Sequence, residues 1–78
     1  MKIQILGSGC AKCKLLEENA REAVAELGIQ ADVEKITDIA TIAGMGVMTT
    51  PALAIDSVVK SMGRVLTKDQ VAALLQRG

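Results

Sequence analysis

A short apolar run, a glycine-rich break and a long amphipathic stretch meet at the chain's two cysteines, and that junction narrows the folds open to it. Ile3 to Leu6 is the apolar run and Gly7-Ser8-Gly9 the break; the amphipathic stretch starts at Cys10-Ala11-Lys12-Cys13 itself. The pattern reads as a strand handing over to a helix, with the cysteines at the helix N-terminus. There, unsatisfied backbone N–H groups and aligned peptide dipoles favour negative charge, which stabilises a thiolate over a thiol. Lys12 and Lys14 add positive charge nearby. For Lys12 two readings stand side by side: a group that tunes the thiolate pKa, or a solvated side chain.

The 78 residues predict one domain, 1–78, near the size at which a core holds without metals or structural disulfides. With no Phe, Tyr or Trp, that core has to be built from Ile, Leu, Val, Ala and Met. Nine basic and nine acidic residues argue against a broad basic surface for nucleic acid, and the missing aromatics remove any base-stacking platform. The apolar run after Met1-Lys2 is too short for a signal-peptide core, and no stretch is long enough to span a bilayer. The expectation is a cytoplasmic protein that binds neither membrane nor nucleic acid and works as a monomer. In a reducing compartment, a lone C-x-x-C is more often redox-active or metal-binding than a structural staple.

Residues 2 to 6 predict a first strand, with Ile3 and Ile5 on one face and Lys2 and Gln4 on the other. Leu16, Ala20, Ala23, Val24 and Leu27 recur at three- and four-residue steps and predict the first helix, ended by Gly28. On its solvated side Glu17 and Arg21 form an i,i+4 pair worth about 0.2–0.5 kcal/mol. Ile29, Ala31 and Val33 alternate with Gln30, Asp32 and Glu34, which predicts a second strand running to about Ile36. Thr37 or Asp38 then caps a short helix whose Ile39, Ile42 and Ala43 face inward, broken by Gly44 and Gly46. After a loop from Met45 to Pro51, Ala52 to Ile55 and Val58 to Met62 predict two antiparallel strands. The intervening Asp56-Ser57 suits a tight hairpin less well than Asp-Gly does. Thr67 and Gln70 are spaced for a reciprocal capping box, stapled by Leu66 and Val71, before a helix from about Lys68 to Gln76. The element order is βαβαββα.

The chemistry that suits this spacing is dithiol exchange. A thiolate at Cys10 attacks a partner disulfide, and Cys13, one helical turn on and more shielded, displaces the partner from the mixed disulfide. Thr50-Pro51, just ahead of the third strand, is the second signal, because a proline entering a strand removes a ladder donor. A trans proline in an ordinary loop is one account. A cis bond is the other; it turns the Thr50 backbone outward to pair with an extended partner segment. Met48, Thr49 and Gly63 then form a small rim around the substrate.

Gly7-Ser8-Gly9-Cys10-Ala11-Lys12-Cys13, Thr49-Thr50-Pro51-Ala52-Leu53 and Gly63-Arg64 together resemble the thioredoxin and glutaredoxin superfamily. Within it they resemble the small thioredoxin-like group often called redox-active disulfide proteins. The resemblance covers nearly the whole chain. It implies an α/β fold with a four-stranded mixed sheet and helices on both faces, Cys10 as nucleophile, Cys13 as resolving cysteine, and Pro51 in cis beside them. It also implies exchange with protein disulfides and recharging by a thioredoxin-reductase-like electron donor; the redox group is the Cys10–Cys13 disulfide, with no bound cofactor. The chain departs from thioredoxins in having Gly9 where a Trp is usual and Ala11-Lys12 in place of Gly-Pro. It departs from glutaredoxins in keeping only Gly63 of a Gly-Gly pair.

Two other readings remain open at the level of sequence. Small copper-binding domains also place a C-x-x-C after the first strand, and thiolates suit Cu(I), with Met45 and Met48 available as thioether ligands. Those domains run βαββαβ and end on a strand, whereas this chain ends on a helix. A closed zinc site is disfavoured by two cysteines and no histidine. A non-catalytic module that keeps the fold is the third reading.

Overall fold

The structure is a computed structural model and describes residues 1–7, 9 and 11–77; Cys10 and Ser8, both named above, lie outside the described residues. Four strands, β1 (Lys2–Leu6), β2 (Asp32–Ile36), β3 (Ala52–Ile55) and β4 (Val58–Met62), form one mixed sheet in the order β2-β1-β3-β4. β1 pairs parallel with β2, and β3 runs antiparallel to both β1 and β4. Helices α1 (Ala11–Leu27), α2 (Ile39–Gly44) and α3 (Lys68–Arg77) complete the βαβαββα order.

Strand alternation sends the two central strands' side chains to opposite faces, and each face has its own core. Ile3 and Ile5 of β1 with Leu53 and Ile55 of β3 pack under α1 and α3, against Leu16, Ala20, Ala23, Val71 and Leu75. Leu6, Ala52 and Ala54 point the other way and are covered by Ile42 of α2 and by Val47. Because β1 is buried on both faces, the expected solvated side of that strand is corrected in part. Lys2 is exposed, but Gln4 is only 7% exposed. Its side-chain Oε1 accepts a hydrogen bond from Ser57 N at 2.9 Å, which satisfies the amide oxygen where the short α2 does not reach.

That bond also explains the hairpin that Asp56-Ser57 makes without a glycine. Both residues hold positive φ, 50° and 70°, the twist a two-residue hairpin needs. The strained turn is tied to β1 on three sides: Asp56 N donates to Lys2 O at 2.8 Å, Lys2 N donates to Asp56 Oδ1 at 2.8 Å, and Gln4 holds Ser57.

β2 starts later than the alternation predicts, at Asp32. Ile29 and Ala31 lie ahead of it and pack as partly buried residues against the α1 side of the core. α1 ends as expected, with Gly28 at φ 65° donating to Val24 O and Ala25 O. Its Glu17 is more than surface decoration. The side chain is 14% exposed and binds both Arg21, at 2.9 Å, and Lys35 of β2, at 3.5 Å, so it ties helix to edge strand. The hydrogen bond from Arg21, with Lys35 adding to it, holds the Glu17 carboxyl below the usual carboxylate range against the opposing effect of burial.

Asp38, not Thr37, caps α2: its Oδ2 accepts from Thr41 N at 2.9 Å and from Thr41 Oγ1 at 2.6 Å. Those two bonds, the hydroxyl first, lower the Asp38 pKa. Of the three residues expected to face inward from α2, only Ile42 is buried; Ile39 is 74% exposed and Ala43 is exposed. Six residues make under two turns, so only one side chain reaches the sheet. At α3 the capping box closes as predicted, Thr67 N to Gln70 Oε1 at 3.0 Å and Gln70 N to Thr67 Oγ1 at 3.2 Å.

Candidate active site

The sheet register brings the site together. β1 ends at Leu6, which pairs with Ala52, and Ala52 pairs in turn with Met62. The residues just beyond these three, Gly7, Pro51 and Gly63, therefore meet at one end of the sheet, and α1 begins at Ala11 at that same end. Cys10 is the residue before α1 in sequence; its position lies outside the described residues.

Cys13 sits on the first turn of α1 and is 5% exposed. Its sulfur rests on Gly7, so closely that a Cβ built on Gly7 would collide with Cys13 Sγ. The same Cβ would lie 3.8 Å from Thr50 Cβ. Gly7 is buried, and its N–H donates to Ile36 O at 3.0 Å, so the seat under the sulfur is fixed by the β1–β2 ladder. The function of Gly7 is close approach, because a residue without a Cβ leaves room for the Cys13 sulfur.

The Thr50–Pro51 peptide bond is cis. Pro51 is fully buried, and its carbonyl accepts from Gly63 N at 2.8 Å. Gly63 has φ 69°, and a Cβ there would come within 2.9 Å of Thr49 Oγ1, so Thr49, Pro51 and Gly63 form one packed corner. Thr50 is exposed, and neither its N–H nor its C=O enters a backbone hydrogen bond among the described residues. Thr50 thus keeps a backbone donor and acceptor that no backbone partner takes among the described residues, groups an extended segment can pair with.

Met48 stands apart from that corner, 90% exposed. With Ile39, Ile42, Ala43, Val47 and Thr50 it lines a shallow groove of about 260 Å³ between α2 and the site. Nothing in the sequence pattern pointed to Val47 or Ile42 as site-lining residues, because Ile42 reads as core and Val47 as part of the loop from Met45 to Pro51. Met45 turns inward and packs against the α2-side core, as a flexible gap-filler. Lys12 is exposed on the first turn of α1. The sequence-predicted residues thus divide into Cys13, Thr50 and Pro51 around one seat, Thr49 and Gly63 bracing it, and Lys12 and Met48 on its rim.

Among the described residues no helix is long and apolar enough to cross a membrane. The family model of the Thioredoxin domain matches residues 1–76. Over 75 residues the chain is 52% identical to a thioredoxin of Methanothermobacter thermautotrophicus, covering 96% of this chain and 97% of that one. Over 69 residues it is 41% identical to a thioredoxin of Methanocaldococcus jannaschii, covering 88% and 79%. A solved structure described as that of a malarial protein superposes with a TM-score of 0.71 at 11% identity, over 97% of this chain and 93% of that one, a likeness of fold alone. Sequence and architecture agree that the chain belongs to the thioredoxin family and is, in general terms, a thioredoxin-type oxidoreductase.

Proposed function

We propose that the chain exchanges a dithiol for a disulfide with protein substrates through a mixed-disulfide intermediate, Cys10 attacking and Cys13 resolving. In the reductive direction the Cys10 thiolate attacks one sulfur of the partner disulfide, forming the mixed S–S bond and expelling the partner's other sulfur as a thiolate. Cys13, deprotonated, attacks Cys10 Sγ, releases the second partner thiol and leaves the Cys10–Cys13 disulfide. Two electrons pass to the partner, with two protons. The start of α1 and Lys12 favour the attacking thiolate. The Thr50 backbone pairs with the partner segment beside Pro51, with Met48, Thr49 and Gly63 around it. The redox group is the cysteine pair itself, with no bound cofactor, and a thioredoxin-reductase-like donor returns the electrons in a reducing cytoplasm.

The observation that carries this reading is the seat of Cys13. Its sulfur is shielded, pressed against Gly7 and next to Thr50, on the first turn of a helix whose preceding residue is the other cysteine. A resolving thiol has to be withheld from outside reagents yet remain within reach of its neighbour. Cys10→Ser is expected to bring insulin reduction down to the uncatalysed background, and Cys13→Ser to accumulate the mixed disulfide. A Cys10→Ser protein that reduces insulin at the parent rate refutes the role assignment. Tight stoichiometric Cu(I) binding without a reversible two-electron couple supports the metal-carrier reading instead.

A further inference from the structure

A net charge of zero conceals a separation of charge along the sheet. At the end away from the dithiol, cations are neutralised: Lys2 pairs with Glu34 at 3.4 Å, and Lys68 pairs with Glu26 in the last turns of α1 at 2.6 Å. Asp32 and Asp56 belong to that end too, through the Lys2–Asp32 register and the Asp56 bonds to Lys2. Toward the dithiol α1 still carries Glu17 and Glu18, Glu17 being held by Arg21 and Lys35, but cations without an ion pair gather there. Lys12 and Lys14 stand on the first turn of α1, Arg64 follows Gly63, and Lys60 lies two residues before Met62. None of the four makes an ion pair among the described residues. Asp38, which enters α2 at this end, is committed to Thr41.

Two of these cations share a groove. Between β4 and α3 lies a depression of about 330 Å³ with Lys60 and Arg64 on its rim, Leu66 and Leu74 in its wall, and Ser61 and Gln70 beside them. Among the described residues no carboxylate lines it. The Ser61 hydroxyl is shut off from solvent and has no hydrogen-bond partner among the described residues. Ser61 is itself one of the residues lining the groove. Two unneutralised cations and an unsatisfied hydroxyl over an apolar wall suit a carboxylate carried on a short apolar stem, as in a glutamate side chain.

We infer that the dithiol end is a cationic docking surface for an acidic protein partner, and that the groove between β4 and α3 receives a glutamate or aspartate lying beside the partner's disulfide. This rests on the exchange reading above and narrows its substrate class. Charge complementarity of this kind acts mainly on the encounter rate and fades with salt.

The experiment uses three peptides, each closed by one disulfide and flanked by Glu, Gln or Lys. Second-order exchange rates with the reduced protein are measured at low and high ionic strength, alongside a small neutral disulfide. The Glu peptide is expected to react about tenfold faster than the Lys peptide at low salt, and the ratio to collapse at high salt. Lys60→Gln/Arg64→Gln is expected to cut the ratio about threefold, and Lys60→Arg/Arg64→Lys to restore it. Docking is read separately by titrating the oxidised protein with a Glu peptide whose cysteines are serine and following the amide resonances of residues 60–66. Equal rates for the three peptides at low salt, an unchanged ratio in the double Gln variant, or no salt-sensitive shift at residues 60–66 overturns the inference. An oligothymidylate of equal charge that binds as tightly as the Glu peptide also overturns it, because the surface then does not select a protein carboxylate. Failure with the neutral disulfide, while the Glu peptide still shifts those resonances, refutes the exchange reading and leaves the docking surface standing.

Discussion

Replacing Gly7 by alanine isolates the contact on which the site is built. The new methyl group meets Cys13 Sγ first, then Cys13 Cβ at 3.4 Å and Thr50 Cβ at 3.8 Å. The last two distances are tolerable van der Waals contacts, so the sulfur alone is the obstacle. Neither side yields cheaply: Gly7 is held by the ladder through Ile36, and α1 is anchored by Leu16 and Ala20, both 0% exposed. Overpacking of this kind costs about 1–3 kcal/mol, and in a domain of this size each kcal/mol lowers Tm by roughly 4–8 °C. Urea unfolding under reducing conditions is to be measured for Gly7→Ala, Cys13→Ala and the double variant. Cys13→Ala removes the sulfur and keeps Cβ, so in that background the Gly7→Ala cost is expected to fall below about 0.5 kcal/mol, a coupling of roughly 1–2 kcal/mol. The displaced sulfur also leaves its seat beside Thr50, so Gly7→Ala is expected to prolong the mixed disulfide in exchange assays. An equal cost in both backgrounds shows that the obstacle is not Cys13, and the seat is then misassigned.

Two further predictions concern the scaffold. Ser57→Gly replaces a side-chain-bearing residue at φ 70° and keeps the N–H that donates to Gln4. Relief of about 1–2 kcal/mol of left-handed strain against about 0.5–1 kcal/mol of added chain entropy gives a net gain of roughly 0.5–1 kcal/mol, visible as a rise in the urea midpoint at unchanged m. Glu17 carries a lowered pKa in the folded state, from Arg21 first and Lys35 next. Its stabilisation is therefore complete above the ordinary carboxylate pKa, about 4.3, and is lost as pH falls through that value and below it. Glu17→Gln is expected to cost up to about 1 kcal/mol at neutral pH and to flatten the stability profile on the acid side; a parallel, unflattened profile contradicts the assignment.

Much of the fold was legible because its signals are local. The stripe of α1, the capping box of α3 and the glycine at the α1 terminus depend on residues three or four apart, and each appears as read. What was not legible depends on partners distant in sequence. Gln4 reads as a solvent-facing strand residue, and only the return of the hairpin, 53 positions away, supplies Ser57 N for its amide oxygen and makes its burial affordable. Ile39 reads as a core residue by its apolarity, but a helix of six residues presents a single side chain to the sheet. β2 begins late because an edge strand needs its one neighbour to pair with, and β1 starts only at Lys2, opposite Asp32.

The site divides along the same line. Cys13 and the Thr50–Pro51 pair announce themselves by residue type, whereas the place where they meet is fixed by register. Leu6 opposite Ala52 sets Gly7 against the Thr50 corner, and Ala52 opposite Met62 brings Gly63 to the Pro51 carbonyl. A slip of one residue between β1 and β3 would separate Gly7 from Thr50. It would also pair Ile5 with residues of the opposite face and turn Leu53 and Ile55 out from under α1. Both faces of these strands are buried, so that slip is forbidden by the core, and the geometry around the resolving sulfur is enforced by side chains that take no part in the chemistry. This is also why a core without a single aromatic ring is adequate here: with small and branched residues interdigitating on two faces, the register leaves little freedom at the sheet end where Cys13 is seated.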